Sequence, residues 1–304
     1  MEPDRMEMIG ARQRGVKHSL HILLSALIDY AGLFPPSGLN MAEAVANYKR
    51  YKDGPNAWAL GRFIVPAARL QEFESHFTRG DSIWRLSALI GQNPSEDLAN
   101  VIEFNGRHRH SAVIDSLEVR AKNTEGIRSF GEQVPESFLV YFEISAIDDL
   151  PSLIATVAAS HARAKIRTGG LTPEMFPSEH LIVQFLEACI AANVAFKATA
   201  GLHHPVRCVK PLTYEKDAPK GTMHGFLNVF LTPAFLLDGL RAAEVEELLR
   251  DDNPANFRFD EESIAWRNHR LSQLRLLESR ALAASFGSCS FEEPIEDLTS
   301  LNLL

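Results

Sequence analysis

The chain has 304 residues, with 31 Lys and Arg against 39 Asp and Glu, for a net charge of −8. That acidic balance argues against a nucleic-acid partner, which needs a basic patch, but a local cluster of cations can still hold a small anion. Hydrophobic residues at 45% and charged residues at 23% belong to an ordinary globular chain with a large core, whose expected partner is a small-molecule substrate and not a membrane.

Residues 1–17 are polar and carry both signs of charge, unlike a signal peptide, and 1–24 reads as an N-terminal extension. The apolar run over 20–28 is shorter than the ~20 residues a membrane span needs. From there short apolar runs alternate with helix-period stretches, the pattern of a parallel sheet with crossover helices. Strands are expected at 27–33, 60–65, 84–90, 112–119, 138–144, 164–168 and 194–199. Asn40 with Glu43 three residues on predicts a capping box for a helix over 41–51. Asn93, Pro94 and Glu96 predict the start of another helix, and 150–161 and 178–193 read as helices too. The loop over 203–221 is long enough to suggest a functional role. Residues 225–240 suit a buried helix. The eighth strand lies either in 257–266 or just before Phe286.

Length favours one domain over 1–304, an α/β fold of the (β/α)₈ TIM-barrel type, which typically takes ~250 residues. An open seven-stranded sheet is the alternative. Residues 285–304 are expected to close the barrel top, and Ser288 and Ser290 to bind substrate near a helix start. Cys189, Cys208 and Cys289 are far apart and form no CxxC pair, which points to a reducing, cytoplasmic setting. A homo-oligomer is compatible with the composition.

Alternation along the strands turns Lys165 and Arg167, Lys197 and Thr199, Glu143 and Arg62 toward the barrel interior. Burying isolated charges is costly, and barrels of this kind carry their catalytic groups on the carboxyl ends of several strands. Either these residues form an active site, or they form a buried ion-pair network that only closes the barrel. Two neighbouring lysines suggest amine chemistry, since a nearby cation and burial both favour the neutral amine.

The segments Lys165-Ile166-Arg167-Thr168-Gly169, Phe196-Lys197-Ala198-Thr199-Ala200-Gly201, Ile114-Asp115-Ser116-Leu117 and Phe286-Gly287-Ser288-Cys289-Ser290 resemble four short motifs of class I deoxyribose-phosphate-type aldolases, which also occur in the same order along the chain. The resemblance implies a lyase acting on a small oxo or sugar-type compound. Lys165 would be the Schiff-base nucleophile, Lys197 would lower its pKa, and Asp115 or Glu118 would handle protons, with no cofactor. A bulge is required for Asp115 and Glu118 both to face inward. This chain has a single Gly201 where the family has two glycines for phosphate approach, and the His203-His204-Pro205 loop has no counterpart there. The chain as a whole also resembles a widespread bacterial and plant family that shares D-Y-A-G-L-F-P-P and F-K-A-T-A-G-L-H-H-P; this second resemblance implies no activity.

Two other readings compete. His203, His204 and His224, with Glu143, Glu118 and Asp29, offer enough N and O donors for a divalent metal, as in a metal-dependent hydrolase or isomerase. Alternatively, Lys165, Arg167 and Lys197 clamp an anion in a barrel without chemistry. Cys289, between two serines, is a candidate nucleophile or a small packed residue.

Overall fold

Seven short apolar runs, each the length of a strand, and an eighth segment rich in small residues build the wall of a barrel. The computed structural model describes residues 15–78, 80, 82–144 and 149–304. Its first strands are β1 (Ile28–Tyr30), β2 (Leu60–Pro66), β3 (Trp84–Leu89), β4 (Ala112–Ala121), β5 (Leu139–Ile144), β6 (Arg163–Arg167) and β7 (Phe196–Thr199). A hairpin, β8 (Cys208–Pro211) and β9 (Lys220–Met223), precedes a small antiparallel sheet of β10 (Phe257–Phe259), β11 (Ser263–Trp266) and β12 (His269–Ser272). The last strand is β13 (Ala283–Ser288). Strands β1 to β7 and β13 pair in parallel as a closed ring, β1-β13-β7-β6-β5-β4-β3-β2, so the fold is a (β/α)₈ TIM barrel.

The helices are α1 (His18–Leu24), α2 (Met41–Lys52), α3 (Leu70–His76), α4 (Pro94–His108), α5 (Thr124–Gly131), α6 (Leu150–Ala159), α7 (Glu179–Ala191), α8 (Phe226–Leu237), α9 (Ala242–Arg250), α10 (Gln273–Leu282) and α11 (Glu292–Ser300). None of them is long and apolar enough to cross a membrane. Helix α2 opens with the expected capping box between Asn40 and Glu43. Helix α4 starts at Pro94 as expected, but the Asn93 side chain makes no capping bond. Instead Asp97 accepts from Gly91 N at 2.6 Å, tying the strand-to-helix turn to the first turn of the helix.

Two expectations about chain order are refined. The eighth barrel strand is β13, while 257–266 belongs to the peripheral sheet. The segment expected to cover the barrel therefore begins as part of the barrel wall, and only the residues after Ser288 lie beyond it. Of the expected N-terminal extension, residues 1–14 lie outside the described residues.

The core sits between barrel and helices. Phe196 on β7 meets Phe185 of α7 edge-on at 5.8 Å and Phe230 of α8 at 6.0 Å, and Phe286 of β13 stacks on Phe226 at 5.3 Å. Ten residues of α8 are buried, which fits its apolar character all round.

One guanidinium reinforces ring closure at the amino-terminal side. Arg280, 9% exposed, donates to the carbonyls of Ala283, Ala284 (2.9 Å) and Ser25 (2.8 Å), joining the start of β13 to the chain entering β1. Removing it takes a charged donor from three carbonyls, and hydrogen bonds to charged groups are worth about 1.5–3 kcal/mol each. Arg280→Met is expected to lower unfolding stability by roughly 3 kcal/mol in urea titration. The half-exposed Arg275→Met, which loses only surface ion pairs, is expected to stay within about 0.5 kcal/mol of the parent.

Candidate active site

The carboxyl ends of the strands open into a cavity of ≈ 340 Å³ whose polar lining includes Glu118, Glu143, Lys165, Arg167, Thr199 and Cys289. Apolar residues form its cover: Phe34, Pro35 and Pro36 from the loop after β1, Met175 from the loop after β6, and Leu212 and Met223 from the β8–β9 hairpin.

Glu118 is the centre of the arrangement. It is 1% exposed and bridges two ammonium groups: Lys165 Nζ lies 2.8 Å from Oε2, and Lys197 Nζ lies 2.6 Å from Oε1. Ser87 Oγ donates to the same Oε1 at 2.8 Å. Lys165 also pairs with Glu143 at 2.7 Å, and Lys197 with Asp29 at 2.7 Å. Asp29 in turn accepts from Ser285 Oγ at 2.7 Å and from Arg62 N at 2.6 Å. Gly61 makes room for that carboxylate, since a Cβ there would lie 2.2 Å from Asp29 Oδ1. The chain of charges Glu143–Lys165–Glu118–Lys197–Asp29 thus crosses the upper barrel from β5 to β1.

Burial alone would push the Glu118 carboxyl up, but the two lysines outweigh it and hold its pKa far below the carboxylate range. Burial likewise opposes charge on Lys197, yet the carboxylates of Asp29 and Glu118 raise its pKa. Glu143 is also shifted down: desolvation raises it, and Lys165 with Arg167 more than offsets this.

The required bulge is present. Register along β3 and β4 steps from Leu86↔Ile114 to Ser87↔Ser116, which leaves Asp115 as the extra residue. Asp115 therefore meets Arg62 Nε at 2.5 Å and Arg85 at 2.6 Å, while Glu118 still reaches the lysines. This separates the residues expected at the site. Glu118, Glu143, Lys165, Arg167, Thr199 and His203 line the cavity, and Lys197 lies beneath Glu118. Arg62 and Asp115 form an ion pair away from the cavity lining. Thr168 donates to Ala200 O at 2.7 Å and fixes the strand end. His204 pairs with Asp297 at 2.6 Å and lines a separate groove. Ser288 is buried off the cavity lining, and Ser290 Oγ accepts from Glu293 N at 3.1 Å near the start of α11.

His203 and His204 both reach Glu293, at 2.9 and 3.9 Å, and His224 stands apart. His203 is held by Glu293 and His204 by Asp297, while His224 Nε2 donates to Pro177 O at 2.9 Å. Among the described residues no group of three or more His, Cys, Asp or Glu is placed to hold a metal ion.

The glycines of the Thr168–Gly170 and Ala200–Gly201 turns are packed on their Cβ side, and Gly170 and Gly201 line the cavity. A Cβ on Gly169 or Gly201 would fall 2.6 or 2.7 Å from the Phe176 ring, and one on Gly170 would meet Met175. Cations stand instead near the mouth, where Arg167 Nε and Arg120 Nε lie 3.4 and 3.6 Å from Glu143 Oε1.

Sequence reasoning does not pick out Ser87 or Arg120 as members of this region, and it places Ser285 and Glu293 there only as part of the segment expected to close the barrel top. Strand alternation carries a signal for Ser87 and Ser285, but serines inside a barrel are easily taken as filling. Nothing in the local sequence marks Glu293 as a partner of His203, 90 residues away. No family model, curated protein or solved structure matches the chain.

Glu118→Gln leaves two buried ammonium groups short of a counter-charge, and a loss of roughly 3–5 kcal/mol is expected at neutral pH. A depressed carboxylate pKa stabilises the fold above its unfolded value of ~4.3, and that contribution is lost as pH falls below it. Urea midpoints followed from pH 7 downward are therefore expected to fall more steeply for the parent than for Glu118→Gln.

Proposed function

We propose that the protein is an aldolase-like lyase that acts on a small oxo or sugar-type compound through an imine at Lys165. The observation that carries this reading is the position of Lys165: among the described residues it is the one lysine lining the cavity, with its amine between the carboxylates of Glu118 and Glu143.

The chemistry needs a neutral amine and a proton carrier next to it. Lys165 passes a proton to Glu143, and its lone pair attacks the substrate carbonyl carbon. The new N–C bond forms as the carbonyl oxygen takes a proton; a second proton transfer releases water and leaves the iminium. A carboxylate then removes the proton of the β-hydroxyl, the Cα–Cβ bond breaks toward the iminium, and an aldehyde departs from the enamine. Protonation at carbon and addition of water return the amine. Lys197, held charged by Asp29 and Glu118, keeps positive potential below Lys165 throughout. Glu118 shares its charge between both lysines, which fits it to position Lys165, whereas Glu143 stands nearer the mouth and suits proton transfer.

The resting site also has a feature the amine must overcome, since it is held in ion pairs with two carboxylates. Under this reading, an anionic substrate group draws Arg167 and Arg120 away from Glu143, which leaves that carboxylate readier to take the ammonium proton. The free state of all three cysteines agrees with a reducing compartment, and a cytoplasmic location forms part of the proposal.

Incubation with a panel of small aldehydes and ketones in the presence of borohydride tests the reading. Peptide mass spectrometry is expected to find a reduced adduct on Lys165 and none in Lys165→Met. Glu143→Gln is expected to slow turnover by about 10²–10⁴. A turned-over substrate that leaves no adduct on Lys165 overturns the imine.

A further inference from the structure

A second group of reactive side chains faces the same cavity and has no part in the imine chemistry. Cys289 follows β13 and lies just ahead of α11, and both Cys289 and His203 line the cavity. The thiol Sγ is 4.0 Å from His203 Nε2, and His203 Nδ1 is 2.9 Å from Glu293 Oε2. Tyr214 Oη donates to the same Glu293 oxygen at 3.3 Å and stands 4.0 Å from Sγ. The backbone of Cys289 is fixed as well, because its carbonyl accepts from Ser37 Oγ at 3.1 Å. These contacts join the loops after β1, β7 and β13 with the hairpin at one point on the cavity wall.

The order thiol, imidazole, carboxylate has a chemical consequence. With Glu293 accepting from Nδ1–H, the other ring nitrogen faces the sulfur with its lone pair and can take the thiol proton. We infer that Cys289, His203 and Glu293 form a nucleophilic centre that takes the acyl group of a small ester or thioester as a covalent thioester on Sγ, and releases it to water. It goes beyond the imine reading and needs no amine.

The other two cysteines provide the contrast. Cys189 is fully buried among apolar residues, which push its thiol up. Burial also raises Cys208, to about 11. At Cys289 burial acts in the same direction, but His203 outweighs it and the pKa falls below the ordinary thiol value. His203 shifts the opposite way, to about 10: burial disfavours its charge, and Cys289 and Glu293 more than restore it. Both shifts favour a thiolate beside an imidazolium.

The step balances without an oxidant. His203 Nε2 takes the thiol proton, Sγ bonds to the acyl carbon, and the carbonyl π pair moves to oxygen. Collapse restores the carbonyl and breaks the bond to the leaving alkoxide or thiolate, which takes the proton from Nε2. Water, deprotonated by the same nitrogen, then cleaves the S–C bond and yields the carboxylic acid and the free thiol. The cavity volume of ≈ 340 Å³ is near the lower end of ligand pockets, which fits a small-molecule ester or thioester.

The full chain mixed with p-nitrophenyl acetate tests this. The expected result is a burst of p-nitrophenolate with an acetyl group on the peptide that contains Cys289. Cys289→Ala is expected to remove the burst, Cys208→Ala to keep it, and His203→Asn to slow acylation by about 10²–10⁴. Iodoacetamide on the unmutated chain gives a second measurement that does not depend on a variant folding. Cys289 is expected to alkylate well below the ordinary thiol pKa of ~8.5 and faster than Cys208. An acetyl group found only on other residues, or alkylation of Cys289 that rises only with an ordinary thiol titration, overturns the assignment. Borohydride trapping at Lys165 reads the imine separately, so failure of one proposal is distinguishable from failure of the other.

Discussion

The bridging of Lys165 and Lys197 by Glu118 is the constraint around which the upper barrel is built. A carboxylate that is 1% exposed carries a desolvation cost of several kcal/mol, and only two close ammonium groups with a hydroxyl donor can offset it. Each lysine then needs a further partner, supplied by Glu143 on one side and Asp29 on the other. In most barrels of this type the interior is filled by layers of branched apolar side chains. Here charged groups occupy that place, so cohesion must come from the layer between strands and helices, where Phe196, Phe185, Phe230, Phe226 and Phe286 pack ring on ring.

The backbone has two local adjustments that make this network fit. Gly61 lets the Asp29 carboxylate press against β2, and Arg62 N caps it there. The bulge at Asp115 changes the parity of β4, so that one strand serves two charge groups. Asp115 holds Arg62 and Arg85, and three residues later Glu118 holds the lysines. Without the extra residue, one of the two carboxylates would point into the apolar layer beneath the helices.

Much of this is legible in the chain itself, for definite reasons. Seven strands announce themselves by apolar runs, and alternation correctly turns Lys165, Lys197, Glu143 and Arg62 inward. The eighth strand is obscure because Ala283-Ala284-Ser285-Phe286-Gly287-Ser288 is rich in small residues and comes straight after helix α10 with no breaker between them. The bulge has no sequence mark, since Asp115 carries no glycine or proline signal, and so the division of labour between Asp115 and Glu118 emerges only from the register. Length alone marks the 203–221 loop, but its fold as a hairpin whose Leu212 and Met223 line the cavity depends on tertiary packing. Cys289, His203 and Glu293 are brought together by chain closure of the barrel, across separations that local reasoning does not connect.

The aldolase-like motifs and the surrounding structure differ most at the glycines, and that difference bears on what a substrate can carry. Backbone amides recognise an anion only when it can approach them closely, and glycine serves this by leaving the approach open. At Gly169 and Gly201 the ring of Phe176 fills the space a Cβ would take, and Met175 does so at Gly170. Gly170 and Gly201 nonetheless line the cavity, and Arg167 and Arg120 beside Glu143 are cations in reach of the mouth, so an anionic group entering it meets side chains as well as backbone. Both already pair with Glu143, so the anion competes with that carboxylate for them. Under the imine reading this links binding to chemistry: an anion that takes up the arginines leaves Glu143 less stabilised as a carboxylate. A carboxylate so placed accepts a proton more readily, and the nearest proton is on Lys165.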